Sequence, residues 1–385
     1  MKTSFWRRWC NTLRRARRTG PVSRVRPRRQ PLSVEALEDR VTPSLTPQLV
    51  LDIGVGSSNP SQMVAIGSTT YFAADDGVHG VALWKSDGPE AGTTLVKDIR
   101  PEVIASPYLS NLTDVNGTLF FTAYDDTHGL ELWMSDGTPT GTVPVSPVAN
   151  SPDNFTNVNG TLFFSQYDSV NGEELWKSDG TAAGTTLVKD IYPGSDWSSP
   201  RNLTNVNGML FFTADDGTHG RGLWKSDGTE AGTVPVQDLA PGWLALNPES
   251  LTNVNATLFF SAYDGTNGYE LWRSDGTAAG TTMVKDIYPG SASSYPRNLT
   301  NGNGTLFFTA DDGTHGRELW RSDGTEAGTL LVKDIYPGEA GSGPYELTNV
   351  NGTLFFRAYG ANGWELWKSD GTEAGTVPVA NLFPR

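Results

Sequence analysis

The chain is poor in the residues that most chemistry needs. Of its 385 residues one is cysteine, Cys10, and it lies in the first 46, so no disulfide can join parts of the remainder. Histidine occurs four times, at His79, His128, His219 and His315. Every one falls at the same position of a repeated turn, where three other copies carry Asn171, Asn267 and Asn362, each followed by glycine. His and Asn share a tolerance for left-handed backbone, so the interchange fits a turn and not a general base. With no other histidine there is no Ser/His/Asp or Cys/His set, and no zinc cluster, P-loop or dinucleotide fingerprint appears. No apolar run is long enough for a membrane span, and no stretch shows a helical period. Basic charge is also scarce outside the start: residues 1–46 hold twelve Lys or Arg against three acids, the rest 17 against 40. So acidic a body argues against nucleic acid or an anionic membrane as partner and suits cation binding or solubility.

What the sequence has is repetition. Trp84, Trp133, Trp176, Trp224, Trp272, Trp320 and Trp367 each sit in a near copy of one motif, with gaps of 49, 43, 48, 48, 48 and 47 residues. The copies run over about 54–101, 102–149, 150–196, 197–243, 244–292, 293–340 and 341–385. In the sixth, Asn298–Asn303 reads as a short polar strand and Asn303-Gly304 as a hairpin turn, because both residues accept positive φ. Thr305–Ala310, Arg317–Ser322 and Thr329–Ile335 give three further strands. Adjacent apolar residues, Leu306-Phe307-Phe308 and Leu319-Trp320, point to opposite faces, so both faces need cover. A propeller blade held between two neighbours meets that need, which predicts an all-β, seven-bladed β-propeller of four-stranded antiparallel blades, with the tryptophans in the blade-to-blade core. Pro144, Pro235 and Pro378 fall in fourth strands and make that strand the outer edge. The polar first strand is then innermost. Residues 48–53 resemble a fourth strand and are expected in the last blade, closing the ring.

The repeats ELWMSDGT (131–138), ELWRSDGT (270–277, 318–325) and ELWKSDGT (365–372), with Glu174–Thr181, resemble the bacterial ELWxxDGT repeat family. Copies one and four depart at the Glu, with Ala82 and Gly222. The resemblance implies an exported or surface propeller-like repeat protein and brings no catalytic residues. Residues 1–46 read as a basic, disordered extension, followed by one propeller domain over 47–385. Leu37-Glu38-Asp39-Arg40 is similar to an L-E-x-R export tag, although no apolar signal core accompanies it. The expected location is therefore extracellular or on the cell surface, and the expected state a monomer.

Two groups of residues are candidates for function. The loops between blades carry Tyr108, Trp197, Trp243, Tyr295 and Tyr345, aromatics that could stack on sugar rings or anchor a protein loop. The second turns carry Asp75-Asp76, Asp125-Asp126, Asp215-Asp216 and Asp311-Asp312, oxygen-rich and next to glycine, which could hold calcium. The Ser-Asp-Gly of every copy instead reads as an acid capping its own hairpin. The expected function is a non-catalytic binding or scaffold module that meets protein or polysaccharide through one loop face. The alternatives are a glycan-active enzyme at the channel mouth, for which Arg357 is the clearest break in the repeat, and a calcium-dependent structural module.

Overall fold

The computed structural model describes residues 49–54, 56–101, 108–145, 150–236 and 247–379, which belong to one compact unit. The basic extension with its export-type tag, Gln48 and Trp243 lie outside the described residues.

Twenty-eight strands form seven four-stranded antiparallel sheets, each in simple sequence order, which is the architecture of a seven-bladed β-propeller. Blade 1 consists of Ser61–Ile66, Thr69–Asp75, Val81–Ser86 and Thr94–Lys97. Blades 2 to 7 follow over 110–144, 150–189, 201–235, 249–285, 297–333 and 345–378. Asn-Gly turns join the first and second strands in blades 2, 3, 4, 6 and 7; blade 5 has Asn255-Ala256 and blade 1 Gly67-Ser68 there. Asn207 and Gly208 lie at φ 50° and 84°, and Asn303 and Gly304 at 53° and 86°, both residues left-handed as the sequence predicts.

The edge-strand expectation holds. In blades 2, 4 and 7 the fourth strand shrinks to Val143–Pro144, Val234–Pro235 and Val377–Pro378, with each proline opposite a core tryptophan. Blades without that proline keep four-residue outer strands.

Alternation sorts the apolar residues between two seams. In blade 6, Leu306, Phe308, Ala310 and Trp320 pack back onto Phe259, Leu271, Val284 and Ile287 of blade 5. Phe307, Leu319, Val332 and Ile335 pack forward onto Leu354, Phe356, Ala358 and Trp367 of blade 7. All seven repeat tryptophans are buried. Polar bonds stitch the same seams. Near the axis Asn205, Asn253, Asn301 and Asn349 each donate Nδ2 to the carbonyl of the equivalent residue one blade back, at 2.9–3.2 Å.

Six seams share this construction. The seventh does not. Each inner strand packs beside the next from blade 1 through blade 7, but no contact of that extent joins the inner strands of blades 7 and 1. Phe307 of blade 6 closes on Gly371 of blade 7, whereas nothing lies within 4 Å of where a side chain on Gly88 of blade 1 would begin. Leu366 is 40% exposed, although its equivalents Leu319 and Leu271 are fully buried. The strand expected to close the ring is not there either: Leu51–Ile53 form no strand, and Ile53 packs against Phe72, Ala74, Ala82 and Trp84 on the rear of blade 1. A short segment covering one side chain cluster cannot supply the ladder that closure needs. Among the described residues no helix is long and apolar enough to cross a membrane.

Candidate functional site

The second turns and the loops between blades lie at the same end of the strands. In each turn one acid faces inward to the backbone. Oδ1 of Asp76 accepts the N–H of Val78 and of His79, at 2.9 and 2.7 Å, and Oδ2 holds the His79 ring at 2.6 Å. Asp216 with His219 and Asp312 with His315 repeat this arrangement, and Asp168 with Asn171 and Asp264 with Asn267 keep it with an amide in place of the imidazole. The histidines are turn residues, but for another reason than the one expected. None has positive φ; the left-handed residue is the following glycine, as at Gly80 and Gly316. His and Asn interchange because both present a nitrogen to the same carboxylate. The bond raises the pKa of His79 and His315. Burial works against ionisation of Asp76 and Asp312, but these N–H donors outweigh it and the pKa of each acid is lowered.

The remaining acids of the pairs are also engaged. Asp75, Asp215 and Asp311 each accept the N–H of the glycine two residues on, and Asp126 is paired with the Arg100 guanidinium. Asp125 takes the capping role in blade 2, bonding Thr127 and His128 N–H. In six blades the Ser-Asp-Gly acids cap as expected: Oδ1 of Asp136, Asp179, Asp227, Asp275, Asp323 and Asp370 accepts both the N–H and the hydroxyl of the threonine two residues later, whereas blade 1 has Pro89 at that place and Asp87 cannot make these bonds.

The motif glutamate has a role that sequence reasoning missed. Glu174 is fully buried and its carboxylate receives Ile191 N–H, Tyr192 N–H, Ser198 N–H and the Ser198 hydroxyl. Glu270 and Glu318 bind Ser294 and Ser342 in the same way. Each thus holds the loop that leads into the next blade. Burial pushes the carboxyls of Glu174 and Glu270 up to about 7, with the hydrogen-bond donors pulling the other way. The available signal was the 24-residue spacing from Glu to a serine in the loop.

The loop aromatics are distributed, not gathered. Tyr108 meets the edge of Tyr124, Trp197 that of Tyr167, and Tyr295 stacks on Tyr269 at 5.4 Å. Tyr345 differs. It opens the first strand of blade 7 rather than lying in a loop, and joins Trp364 and Tyr359 of that blade and Tyr336 of the preceding connection in a run of ring contacts of 5.2–5.6 Å. Arg357, the break in the repeat, lies over Tyr345 at 5.2 Å and Trp364 at 5.3 Å. This cluster borders a groove of about 590 Å³ that Phe355, Leu366 and Glu346 also line. The groove is the forward face of blade 7, the side that in every earlier blade is covered by a neighbour.

Fold and groove together define a seven-bladed propeller in which, among the described residues, the forward face of blade 7 is uncovered. No family model matches the chain and no curated protein resembles it significantly, so the ELWxxDGT likeness stands on its motifs. Solved structures do match. Prolyl oligopeptidase B from Galerina marginata is 11% identical, with 84% of this chain and 51% of that chain covered and a TM-score of 0.50. Two prolyl endopeptidases studied for inter-domain dynamics in catalysis and specificity are represented at 13% identity, 83% and 48% coverage and a TM-score of 0.49. A puromycin hydrolase variant matches at 14% identity, 87% and 55% coverage and a TM-score of 0.47. The prolyl oligopeptidase B likeness agrees with the fold. The chain spans about half the length of the enzymes it matches. The match at a TM-score of 0.50 is to prolyl oligopeptidase B and not to a cell-surface binding module, which corrects the expectation of a surface binding or scaffold module working through its loop face; Tyr108, Trp197 and Tyr295 remain 68%, 57% and 45% exposed beside their ring partners.

Proposed function

We propose that this chain is the non-catalytic propeller of a peptidase-type hydrolase, and that the catalytic unit lies outside the described residues. The observation that carries the reading is the forward face of blade 7. Trp364, Leu366 and Val379 are 45%, 40% and 42% exposed there, beside Arg357, in a repeat whose other forward faces are covered. Exposed tryptophan, arginine and aliphatic side chains around a groove have the composition of a protein interface core. The peptidase class follows the enzymes whose propellers superpose on this one, and the half-length coverage fits a chain that forms one part of such an arrangement. The ELWxxDGT resemblance is compatible with this role and is proposed alongside it.

A photo-crosslinking residue at position 364 of the full-length chain, expressed in its own cell, tests the reading. The expected adduct is a hydrolase domain identified by mass spectrometry, lost with Leu366→Asp. Adducts only to other copies of this chain, or none, refute it. The isolated chain is expected to release no product from proline-containing peptides.

A further inference from the structure

Blade 2 departs from the repeat at one carboxylate. Glu131 occupies the position at which Glu174, Glu270 and Glu318 hold a loop, and it is 1% exposed. Yet neither of its carboxylate oxygens has a hydrogen-bond partner. In sequence the stretch between the core tryptophans of blades 2 and 3, Trp133 and Trp176, is 43 residues, against 47 to 49 between the others. A carboxylate buried without donors is unfavourable unless a positive charge meets it.

A nitrogen ligand is at hand. Nδ1 of His128 lies 4.0 Å from Glu131 Oε2. It also stands further from its capping acid than its counterparts do: 3.3 Å from Asp125, against 2.6, 2.7 and 2.8 Å in blades 1, 4 and 6. The imidazole therefore sits between two carboxylates. One ligand atom each from Asp125, His128 and Glu131 fall within 4.8 Å of one another.

We propose that Asp125, His128 and Glu131 form a binding site for a divalent first-row cation of the Zn²⁺ class. Donors on a tetrahedral ion with bonds of roughly 2.0–2.1 Å are about 3.3–3.5 Å apart. Asp125 and His128 are already at that separation, Glu131 stands 4.0 Å from His128, and no pair of the three ligand atoms is more than 4.8 Å apart, so closure takes a side-chain adjustment of at most about 1.5 Å. One imidazole and two carboxylates suit such an ion better than Ca²⁺, which takes oxygen ligands in larger number. Asp125 Oδ1 keeps its bonds to Thr127 and His128 N–H, which fixes Oδ2 toward the ion. The His128 side chain is 44% exposed, so the outer side is open to water ligands. Among the described residues no other blade brings three such ligand atoms together. The position of Glu131 is Ala82 in blade 1 and Gly222 in blade 4, and in blade 6 Glu318 is bound by Ser342 and Tyr336.

Calorimetric titration of the full-length chain with Zn²⁺, and separately Ca²⁺, at neutral pH tests this. The wild type is expected to take up a Zn²⁺ ion that Glu131→Gln and His128→Asn each fail to bind. Asparagine is the residue of blades 3, 5 and 7 at that turn, so the second variant keeps the fold. The thermal midpoint is expected to rise with Zn²⁺ in the wild type only, and Glu131→Gln without metal is expected to melt no lower than wild type. Cys10 and the other Asp–His turns are present in every variant. Zn²⁺ uptake that is absent in the wild type, is unchanged in Glu131→Gln, or is weaker than Ca²⁺ uptake overturns the proposal.

Discussion

At the scale of single residues the repeat is its own control, because one position can be compared across blades with its surroundings changed. Ala256 has φ 67°, in a turn where five other blades have glycine, as at Gly208 and Gly304. A Cβ in left-handed backbone costs roughly 1–2 kcal/mol, part of which glycine gives back through unfolded-chain entropy. Ala256 is exposed and its N–H is accepted by Asn253 Oδ1, a bond that glycine would keep. Ala256→Gly is therefore expected to raise the unfolding free energy by roughly 0.5–1 kcal/mol in a denaturant titration. A loss of stability would mean that the turn is not strained. The leucines give the complementary test. Leu319 is fully buried between blades 6 and 7, and Leu366 is the same residue of the last blade, 40% exposed. Leu319→Ala is expected to cost about 2–5 kcal/mol, and Leu366→Ala in the isolated chain under about 1 kcal/mol. Equal costs would show that a neighbour covers Leu366 in solution.

Among the elements, the loops between blades are the ones that buried charge organises. The strands could be read from the sequence because alternation, Asn-Gly and proline are local signals: Pro144 and Pro378 marked the outer strand, and Leu319-Trp320 marked two covered faces. The loop anchors could not, because Glu174 and Ser198 are 24 residues apart and a buried glutamate on a strand has no local signature. The histidine turns were placed correctly but explained wrongly, since His and Asn share two properties and only geometry says which is used. The anchors have a consequence for pH. The pKa of Glu174 and Glu270 rises from 4.5 unfolded to about 7 folded. The folded state therefore binds the proton more tightly, and this contribution to stability is complete below about 4.5 and lost as pH rises through 7. His79 and His315, also raised above the ordinary histidine value, add in the same direction from about 6.5 upward. The thermal midpoint is expected to fall between pH 5 and pH 8. The double variant Glu174→Gln, Glu270→Gln should flatten the slope below pH 7 and leave the histidine part above it. An unchanged slope would mean that these carboxylates stay ionised in the fold.

For the whole molecule, the question is whether the repeat behaves as a closed ring or as a row with two ends. In a closed ring every blade has two neighbours and no blade opens before the others. In a row, stability is a sum of blade and seam contributions, and the terminal blades lack one seam each. The described residues favour the row. Blade 7 has no forward neighbour, and blade 1 carries Thr70 on its rear face where the other six have leucine, Leu119 and Leu354 among them, with Ile53 as its cover. The bared face was hidden from the sequence because Leu366 and Phe355 keep the residue types of a covered seam; what they lack is a partner, which only the arrangement in space reveals. Amide hydrogen exchange separates the two cases. In the isolated full-length chain the strand Gly363–Ser369 of blade 7 is expected to exchange faster than its equivalent Tyr269–Ser274 of blade 5, through opening that leaves the inner blades intact. A bound catalytic unit should slow blade 7 selectively. Uniform protection across all seven blades in the isolated chain would show that the seventh seam closes, and the groove beside Trp364 would then lose its claim to be an interface.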